Sequence, residues 1–252
     1  MAVNKVETVE IIRDLVTVLV TELTGSSAWV DNSDGTFTLP ICRTYWLKAQ
    51  DVITVNSIDY TVTNVTRDTS VTVTAASDPT VLTFYLDAPS FYHGTIVQTN
   101  QELSQAEANV SERSPMAYLF RDLTDDFKDE NDILDRESSI RLFFLHDTNF
   151  ADYTTDLADE ETLEPMRSMA YFFVEEVLKS SKLIGKIEDY SIRDYLKFGV
   201  ENSSGYTDNI FSDDFSGVEL TITLPILKKY LCACDDVKPK IQYIDSDLTL
   251  QS

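Results

Sequence analysis

Two apolar segments, Ile140-Arg-Leu-Phe-Phe-Leu-His146 and Val218-Glu-Leu-Thr-Ile-Thr-Leu-Pro225, decide the fold of this chain. The first is apolar enough to be a central strand, which is covered on both faces of its sheet. The second alternates between apolar and polar residues, so that Leu220, Ile222 and Leu224 face one way in a strand. We therefore expect both segments to lie in the main sheet of the protein.

Apolar residues at helical spacing occur before and between these strands. After Pro165 they mark one face of a helix that ends before Gly185, which predicts a helix over residues 165–183. A similar apolar stripe near the amino terminus predicts a helix over residues 6–24. The sequence thus predicts an α+β fold with these two helices against the sheet.

The predicted sheet consists of residues 140–145, 188–198 and 218–224. A short polar helix is expected over residues 101–110, before the break at Ser111 to Pro115.

Residues 29–98 have a different texture, with short β segments separated by turn residues. Segments 52–55 and 58–62 flank Asn56-Ser57 as a predicted hairpin. We expect an inserted, autonomous all-β domain here, a sandwich or barrel of about five to seven strands.

The predicted organisation has three parts. A discontinuous α+β domain comprises residues 1–28 and 99–234, and the β domain at 29–98 interrupts it. Residues 235–252 contain few apolar groups and predict an extended carboxy-terminal arm.

The chain of 252 residues carries 43 acidic and 20 basic side chains, for a formal net charge of −23. A field of this sign repels phosphate and disfavours sequence-independent binding to DNA or to an anionic membrane. Two interpretations remain open. The charge serves solubility alone, or it lets DNA slide through the channel of a ring without sticking.

Residue types that carry chemistry lack the spacing that catalysis or metal binding requires. His93 and His146 lie far apart, and Cys232-Ala-Cys234 has no second ligand pair at zinc-finger spacing. The acidic segments 31–35 and 125–132 fit no EF-hand register and predict a turn and a solvated face. With no nucleophile elbow and no phosphate-binding glycine loop, we expect no enzymatic activity, no cofactor and no metal.

The segment from Ser114 to Pro225 carries a family pattern. It opens with Ser114-Pro-Met-Ala-Tyr-Leu-Phe-Arg-Asp-Leu and continues through an acidic run, the first apolar strand, the helix at Pro165, a Tyr-rich segment and the final strand. That order resembles the tail-terminator-like neck and tail-completion proteins of tailed bacteriophages, including crAss-like phages of Bacteroidetes, and of related prophages. The Ser-Pro-Met start and the 29–98 insert depart from the pattern more usual in that family.

The resemblance implies a tail-terminator-like sheet backed by helices and a structural role in the virion. Such proteins form homo-oligomeric rings, six- or twelve-fold, at the head–tail junction or in the tail. The implied partners are other copies of the chain and the portal or adjacent neck and tail ring proteins. Genomic DNA would pass through the ring without sequence-specific binding, and no membrane is involved. We expect assembly in the host cytoplasm, since the amino-terminal residues lack the pattern of a signal peptide.

The polar loop 199–216 and the arm 235–252 are expected to reach neighbouring subunits, because each is too polar to fold on itself. Apolar side chains that bracket or interrupt the loop are the predicted anchors in a neighbour's groove. These predicted inter-subunit contacts are Phe198, Tyr206, Ile210, Phe211 and Phe215.

An alternative function comes from another class: a virion protein that binds glycan or a host surface through residues 29–98. Aromatic side chains there would form a stacking platform, although aromatics in a small β domain belong more often to its core. The residues of this predicted platform are Trp29, Trp46, Tyr60, Tyr85 and Tyr92.

Overall fold

The fold is described from a computed structural model of the chain. The structure describes residues 8–19, 21–55, 58–75, 79, 83–105, 114–120, 124–127, 136–148, 159–180, 183, 189–201, 203–204, 207–211 and 214–226. The predicted arm at 235–252 lies outside these residues.

The chain has an α+β fold with many strands and few helices. Its first part contains α1 (Thr8–Thr17), β1 (Thr21–Thr24), β2 (Val30–Asp31), β3 (Thr36–Pro40), β4 (Val52–Val55), β5 (Ile58–Thr66), β6 (Ser70–Thr74), β7 (Thr83–Leu86), β8 (Ser90–Gly94) and α2 (Ile96–Gln105). Its second part contains β9 (Met116–Phe120), β10 (Thr124–Phe127), β11 (Arg136–Asp147), a π-helical turn (Asp159–Leu163), α3 (Glu164–Lys179), β12 (Tyr190–Tyr195), β13 (Gly199–Glu201), β14 (Thr207–Asn209) and β15 (Phe215–Ile226).

The larger sheet has six strands in the order β12-β15-β11-β9-β8, and β10 also pairs with β11. Its neighbouring strands are antiparallel, except that β8 and β9 are parallel. The prediction that segments 140–145 and 218–224 share a sheet is confirmed, because β11 pairs with β15 over the whole length of both strands. The predicted strand at 188–198 is also present beside β15, with the shorter bounds of β12.

One face of this sheet packs against α1 and α3 and forms the main core. Alternate residues of β11 and β15 point to this face, as the period of two in a strand requires. The buried side chains on it are Ile140, Leu142, Phe144, Val218, Leu220, Ile222 and Leu224. On the helices the matching residues are Ile11, Ile12, Leu15 and Val16 of α1 and Met166, Met169, Ala170, Phe173, Val174 and Val177 of α3.

The helices differ from their predicted bounds. The helix predicted over 6–24 ends at Thr17, and Thr21–Thr24 forms β1 instead, which pairs with β7 about sixty residues later in the chain. Leu19 and Leu23 are buried as the periodicity predicted, but Leu23 lies in a strand because it pairs with Phe84 of β7. The helix at 165–183 is present as α3, and the short polar helix at 101–110 lies earlier, as α2.

A second sheet has five antiparallel strands in the order β2-β3-β6-β5-β4. The predicted hairpin is confirmed, since β4 and β5 pair next to the proposed turn. One face is buried, and the other carries mainly threonines in register across the strands. In the described part of the chain these strands form an open sheet and no closed barrel.

An inserted unit with the bounds 29–98 is not confirmed. β8 lies within that range but belongs to the larger sheet through its pairing with β9. Side chains such as Leu39 and Trp46 also belong to the same core cluster as Phe144 and Phe173. The two sheets therefore share one continuous core in the described residues.

Gly217 is a point where β15 approaches β11 too closely for a side chain. A Cβ at this position would lie 2.0 Å from the carbonyl oxygen of Phe144. We predict that Gly217→Ala lowers the free energy of unfolding by about 2–3 kcal/mol, because the central pair must separate. Denaturant titration followed by circular dichroism measures this change.

The control is Gly35→Ala, where φ is +85° but no atom lies within 4 Å of the added Cβ. Its smaller cost reflects backbone strain alone, about 1 kcal/mol. Equal midpoints for wild type and Gly217→Ala would contradict the close approach.

Candidate functional site

The predicted contact residues Phe198, Phe211 and Phe215 lie inside the protomer, where each is at most 5% exposed. The ring centroid of Phe198 lies 5.0 Å from that of Phe143 and 5.3 Å from that of Phe211. Inclined aromatic pairs of this kind stabilise a core beyond the area they bury. This placement corrects the expectation that these rings insert into a neighbour's groove, because the protomer's own core already covers them.

The loop 199–216 folds on itself instead of projecting from the protomer. Residues 199–201 pair with residues 207–209 as the β13–β14 hairpin, and half-buried Ile210 packs against the cluster that contains Phe198, Phe211 and Phe215. The side-chain amide of Asn100 on α2 donates to the carbonyl oxygen of Ile210 at 3.1 Å. Tyr206, the remaining predicted contact, lies outside the described residues. Among the described loop residues, Ser203, Ser204, Asp208 and Asn209 are exposed. The three phenylalanines belong to a second core, which consists of Leu103, Met116, Tyr118, Phe143, Leu145, Phe198, Phe211 and Phe215.

We predict that Phe211→Ser lowers the free energy of unfolding by about 3–5 kcal/mol, because it removes a fully packed ring. Thermal and denaturant unfolding of the purified chain measure this. Val200→Ser, at a position 62% exposed in the same hairpin, is the matched control and should stay within about 0.5 kcal/mol of wild type. An unchanged transition in Phe211→Ser would mean that the ring does not belong to the protomer's core.

The second core covers only half of the sheet face opposite the helices, and the other half is polar. Alternate residues of β11, β12 and β15 lie side by side there, at pairs such as Arg141 with Thr221 and Glu219 with Arg193. We call this surface the polar sheet face. It consists of Ser139, Arg141, Ser191, Arg193, Tyr195, Glu219, Thr221 and Thr223.

Glu219 is the buried centre of the polar sheet face, with a side chain 8% exposed. One carboxylate oxygen contacts Nε of Arg141, and the other accepts a hydrogen bond from the hydroxyl of Tyr195 at 2.7 Å. The guanidinium of Arg141 lies 5.5 Å and 5.4 Å from the ring centroids of Phe120 and Phe143. That of Arg193 lies 5.1 Å from the ring of Tyr195, so cation–π contacts orient both arginines.

The protonation states follow from these contacts. Burial alone would raise the pKa of Glu219, but the hydrogen bonds from Arg141 and Tyr195 outweigh it and lower the pKa below the ordinary value. Burial, then the hydrogen bond to Glu219, raise the pKa of Tyr195, so the phenol keeps its proton. Two guanidinium groups therefore share one carboxylate. Arg141 is 45% exposed and Arg193 is exposed, which leaves donor groups open to a ligand.

Sequence reasoning missed this site, although a signal was present. Arg141 and Glu219 are opposite charges that interrupt the two apolar segments from which the fold is predicted. A charge inside such a strand is stable when a neighbouring strand supplies its partner.

A second polar cluster joins the two sheets where β11 ends. Nζ of Lys48 lies 3.1 Å from Nδ1 of His146, and that nitrogen lies 2.9 Å from Oδ1 of Asp147. The backbone N–H of Lys48 donates to Oδ2 of Asp51 at 2.9 Å. Nδ1 donates to Asp147 or accepts from Lys48, depending on which ring nitrogen carries the proton. The cluster therefore ties the loop after β3 to the end of β11.

Burial determines the charge states in this cluster. It lowers the pKa of Lys48 and raises the pKa of Asp51, and neighbouring charges only partly offset both effects. Burial also raises the pKa of Asp147, but the hydrogen bond and charge of His146, together with Ser114 and Lys48, outweigh it and bring the pKa to about 2. Asp147 is thus a stabilising carboxylate that the fold keeps ionised.

We predict that Asp147→Asn lowers stability at neutral pH by about 1 kcal/mol, discounted for screening because the side chain is 36% exposed. The folded-state pKa is about 2 and the ordinary value is 3.8, so the stabilisation is complete above pH 3.8 and is lost as the pH falls to about 2. Free energies of unfolding measured from pH 7 to pH 2 should converge for the two proteins at the acid end. The control is Asp87→Asn at an exposed position, and a constant difference down to pH 2 would contradict the assignment.

The other candidates from the sequence do not form a site in the described residues. The acidic segment 31–35 is a turn in which Asp31 and Asp34 accept backbone hydrogen bonds from Ser33 and Thr36. Within the described ranges, no group of three or more His, Cys, Asp or Glu side chains is arranged to hold a metal ion. No described helix has the length and apolar character to cross a membrane.

The aromatic residues of the alternative, glycan-binding interpretation do not share one exposed surface. Trp46 is 5% exposed, and Trp29 and Tyr60 pack against the main core. Tyr92 packs against the second core, and Tyr85 alone is well exposed, at 61%. A stacking platform therefore has no support from this arrangement.

Comparison with known proteins gives no match to a family model, a curated protein or a solved structure.

Proposed function

We propose that the chain is a structural virion protein of a tailed bacteriophage, which forms a homo-oligomeric ring at the head–tail junction or in the tail. One observation carries the proposal. The strands β9, β11, β12 and β15 occur along the chain in the order of the phage neck proteins that the sequence resembles, and they are neighbours in one sheet. Helices α1 and α3 cover one face of that sheet, as the resemblance implies. We also propose that the fold is tail-terminator-like and carries an inserted β domain. This inserted domain would end before β8, since β8 belongs to the larger sheet.

The buried polar groups support a role in assembly rather than in catalysis. Glu219 pairs with Arg141 and Tyr195, and Lys48 pairs with His146. Glu219 and Lys48 therefore contact other side chains of the same protomer. The contacts of Glu219 join three strands of the larger sheet, and the contact of Lys48 with His146 joins the loop after β3 to that sheet. A rigid subunit suits a protein whose function is to present surfaces at constant angles to identical neighbours.

Exposed backbone supports contacts between subunits. Within the described residues, β12 pairs with β15 on one side and has no strand on its other side. An open edge strand of this kind offers unpaired N–H and C=O groups to another chain. The proposed partners are other copies of the chain and the portal or neck and tail rings above and below it.

The charge supports passage of DNA through the proposed ring. A net charge of −23 on each subunit makes a basic channel surface difficult to build. A negative channel repels phosphate, so the genome meets little friction and no sequence-specific contact.

We expect the purified full-length chain to form closed rings of six or twelve subunits. Heterologous contacts that close give a single particle mass instead of open filaments. Size-exclusion chromatography with light scattering, together with negative-stain images, measures the stoichiometry. A chain that stays monomeric both in solution and within the virion would contradict the proposal.

A further inference from the structure

One end of the polar sheet face, around Glu219, has two arginines and one carboxylate on a strongly acidic protein. Two other surface arginines pair with carboxylates of their own subunit, Arg43 with Glu175 and Arg167 with Asp194. At this end of the polar sheet face, Arg141 contacts the carboxylate of Glu219, and the charge of Arg193 acts on the same carboxylate.

The surroundings of these arginines suit a polar ligand. Thr221, Thr223 and Ser191 are exposed beside them and add hydroxyl groups that both donate and accept hydrogen bonds. The cation–π contacts hold both guanidinium planes in place before any ligand arrives, which reduces the entropy cost of binding. Glu137 lies at the opposite end of the face, two positions before Ser139 on the same strand. The end of the face with Arg141 and Arg193 is therefore separate from the end with Glu137.

Charge complementarity identifies the ligand. Guanidinium groups bind carboxylates through paired N–H donors, and 43 acidic side chains make carboxylates abundant on any neighbouring copy. Nucleic acid is a poorer match, because two guanidinium groups make few phosphate contacts and the net charge of −23 opposes approach.

We propose that the polar sheet face is one half of the contact between subunits, and that it receives an acidic surface of a second copy of this chain. Arg193 and Arg141 bind the carboxylates of that surface, while Glu219 and Tyr195 position Arg141. The contact is heterologous, since a basic patch meets an acidic one, and it therefore continues from copy to copy around a ring. This inference rests on the proposed ring and names the surface that builds it.

The test is Arg193→Glu in the full-length chain. Arg193 is exposed on an edge strand, so the change alters the charge of the face without opening the core. The matched control is Arg43→Glu, an equal change of charge at a side chain 59% exposed on the helix side of the protein.

Light scattering over a dilution series gives the concentration at which half of the rings dissociate. We expect Arg193→Glu to raise that concentration at least about tenfold, because like charges then face each other, and Arg43→Glu to leave it unchanged. Added sodium chloride should weaken wild-type assembly and affect Arg193→Glu less, since salt screens an attraction that the variant lacks.

Other outcomes overturn the inference in distinguishable ways. If rings form in Arg193→Glu as readily as in wild type, this surface is not the subunit contact, but the ring proposal stands. If the wild type is monomeric both in solution and within the virion, both proposals fail. Binding of a duplex DNA oligonucleotide that Arg193→Glu abolishes, with assembly unchanged, would assign the face to nucleic acid. Should the melting temperature of Arg193→Glu fall, Arg193→Gln replaces it and must still raise the dissociation midpoint.

Discussion

The pairing of β11 with β15 is the constraint on which the rest of the structure depends. The two strands run antiparallel over Arg136–Asp147 and Phe215–Ile226, so each residue of one has a partner in the other. Antiparallel pairing over this length sets the register of two sheet faces at once. Strands β9 and β12 extend the sheet on its two sides, and the helices cover one face. A close approach at Gly217 keeps the central pair together.

The same register also defines the opposite face of the sheet, which has an apolar part and a polar part. Residues that flank the β13–β14 hairpin, together with Leu103 of α2, pack at the apolar end near Phe143 and Leu145. Beyond this apolar end the alternate positions are polar, and Glu219 sits at the boundary with 8% of its side chain exposed. A carboxylate in that position requires charged and hydrogen-bonding partners, which Arg141 and Tyr195 supply. The polar sheet face therefore begins where the second core ends.

The second sheet is joined to the first by apolar and polar contacts together. Its buried side chains belong to the main core, and Lys48 reaches His146 at the end of β11. A salt bridge between Arg67 and Glu164, 3.6 Å apart, links the same sheet to the start of α3. Because these contacts cross between the sheets, the proposed insertion is mechanically coupled to the α+β part.

Helices and strands with a long and regular hydrophobic periodicity can be predicted from the sequence alone. The α+β class, the helix α3 and the strands at 140–145 and 218–224 could be predicted, because alternation and helical spacing are local properties. The order of elements also suggested a class of phage proteins, which stays a proposal.

Other features depend on contacts between residues far apart in the chain, and these appear only in the folded structure. Thr21–Thr24 form a strand and not the end of the predicted helix, because they pair with β7. Strand β8 belongs to the larger sheet because it pairs with β9. Phe211 belongs to the core because it packs against the rings of Tyr118, Phe198 and Phe215, contacts that the composition of a polar loop does not reveal. The meeting of Arg141 with Glu219, 78 residues apart in the chain, depends on strand register, which is a property of the assembled sheet.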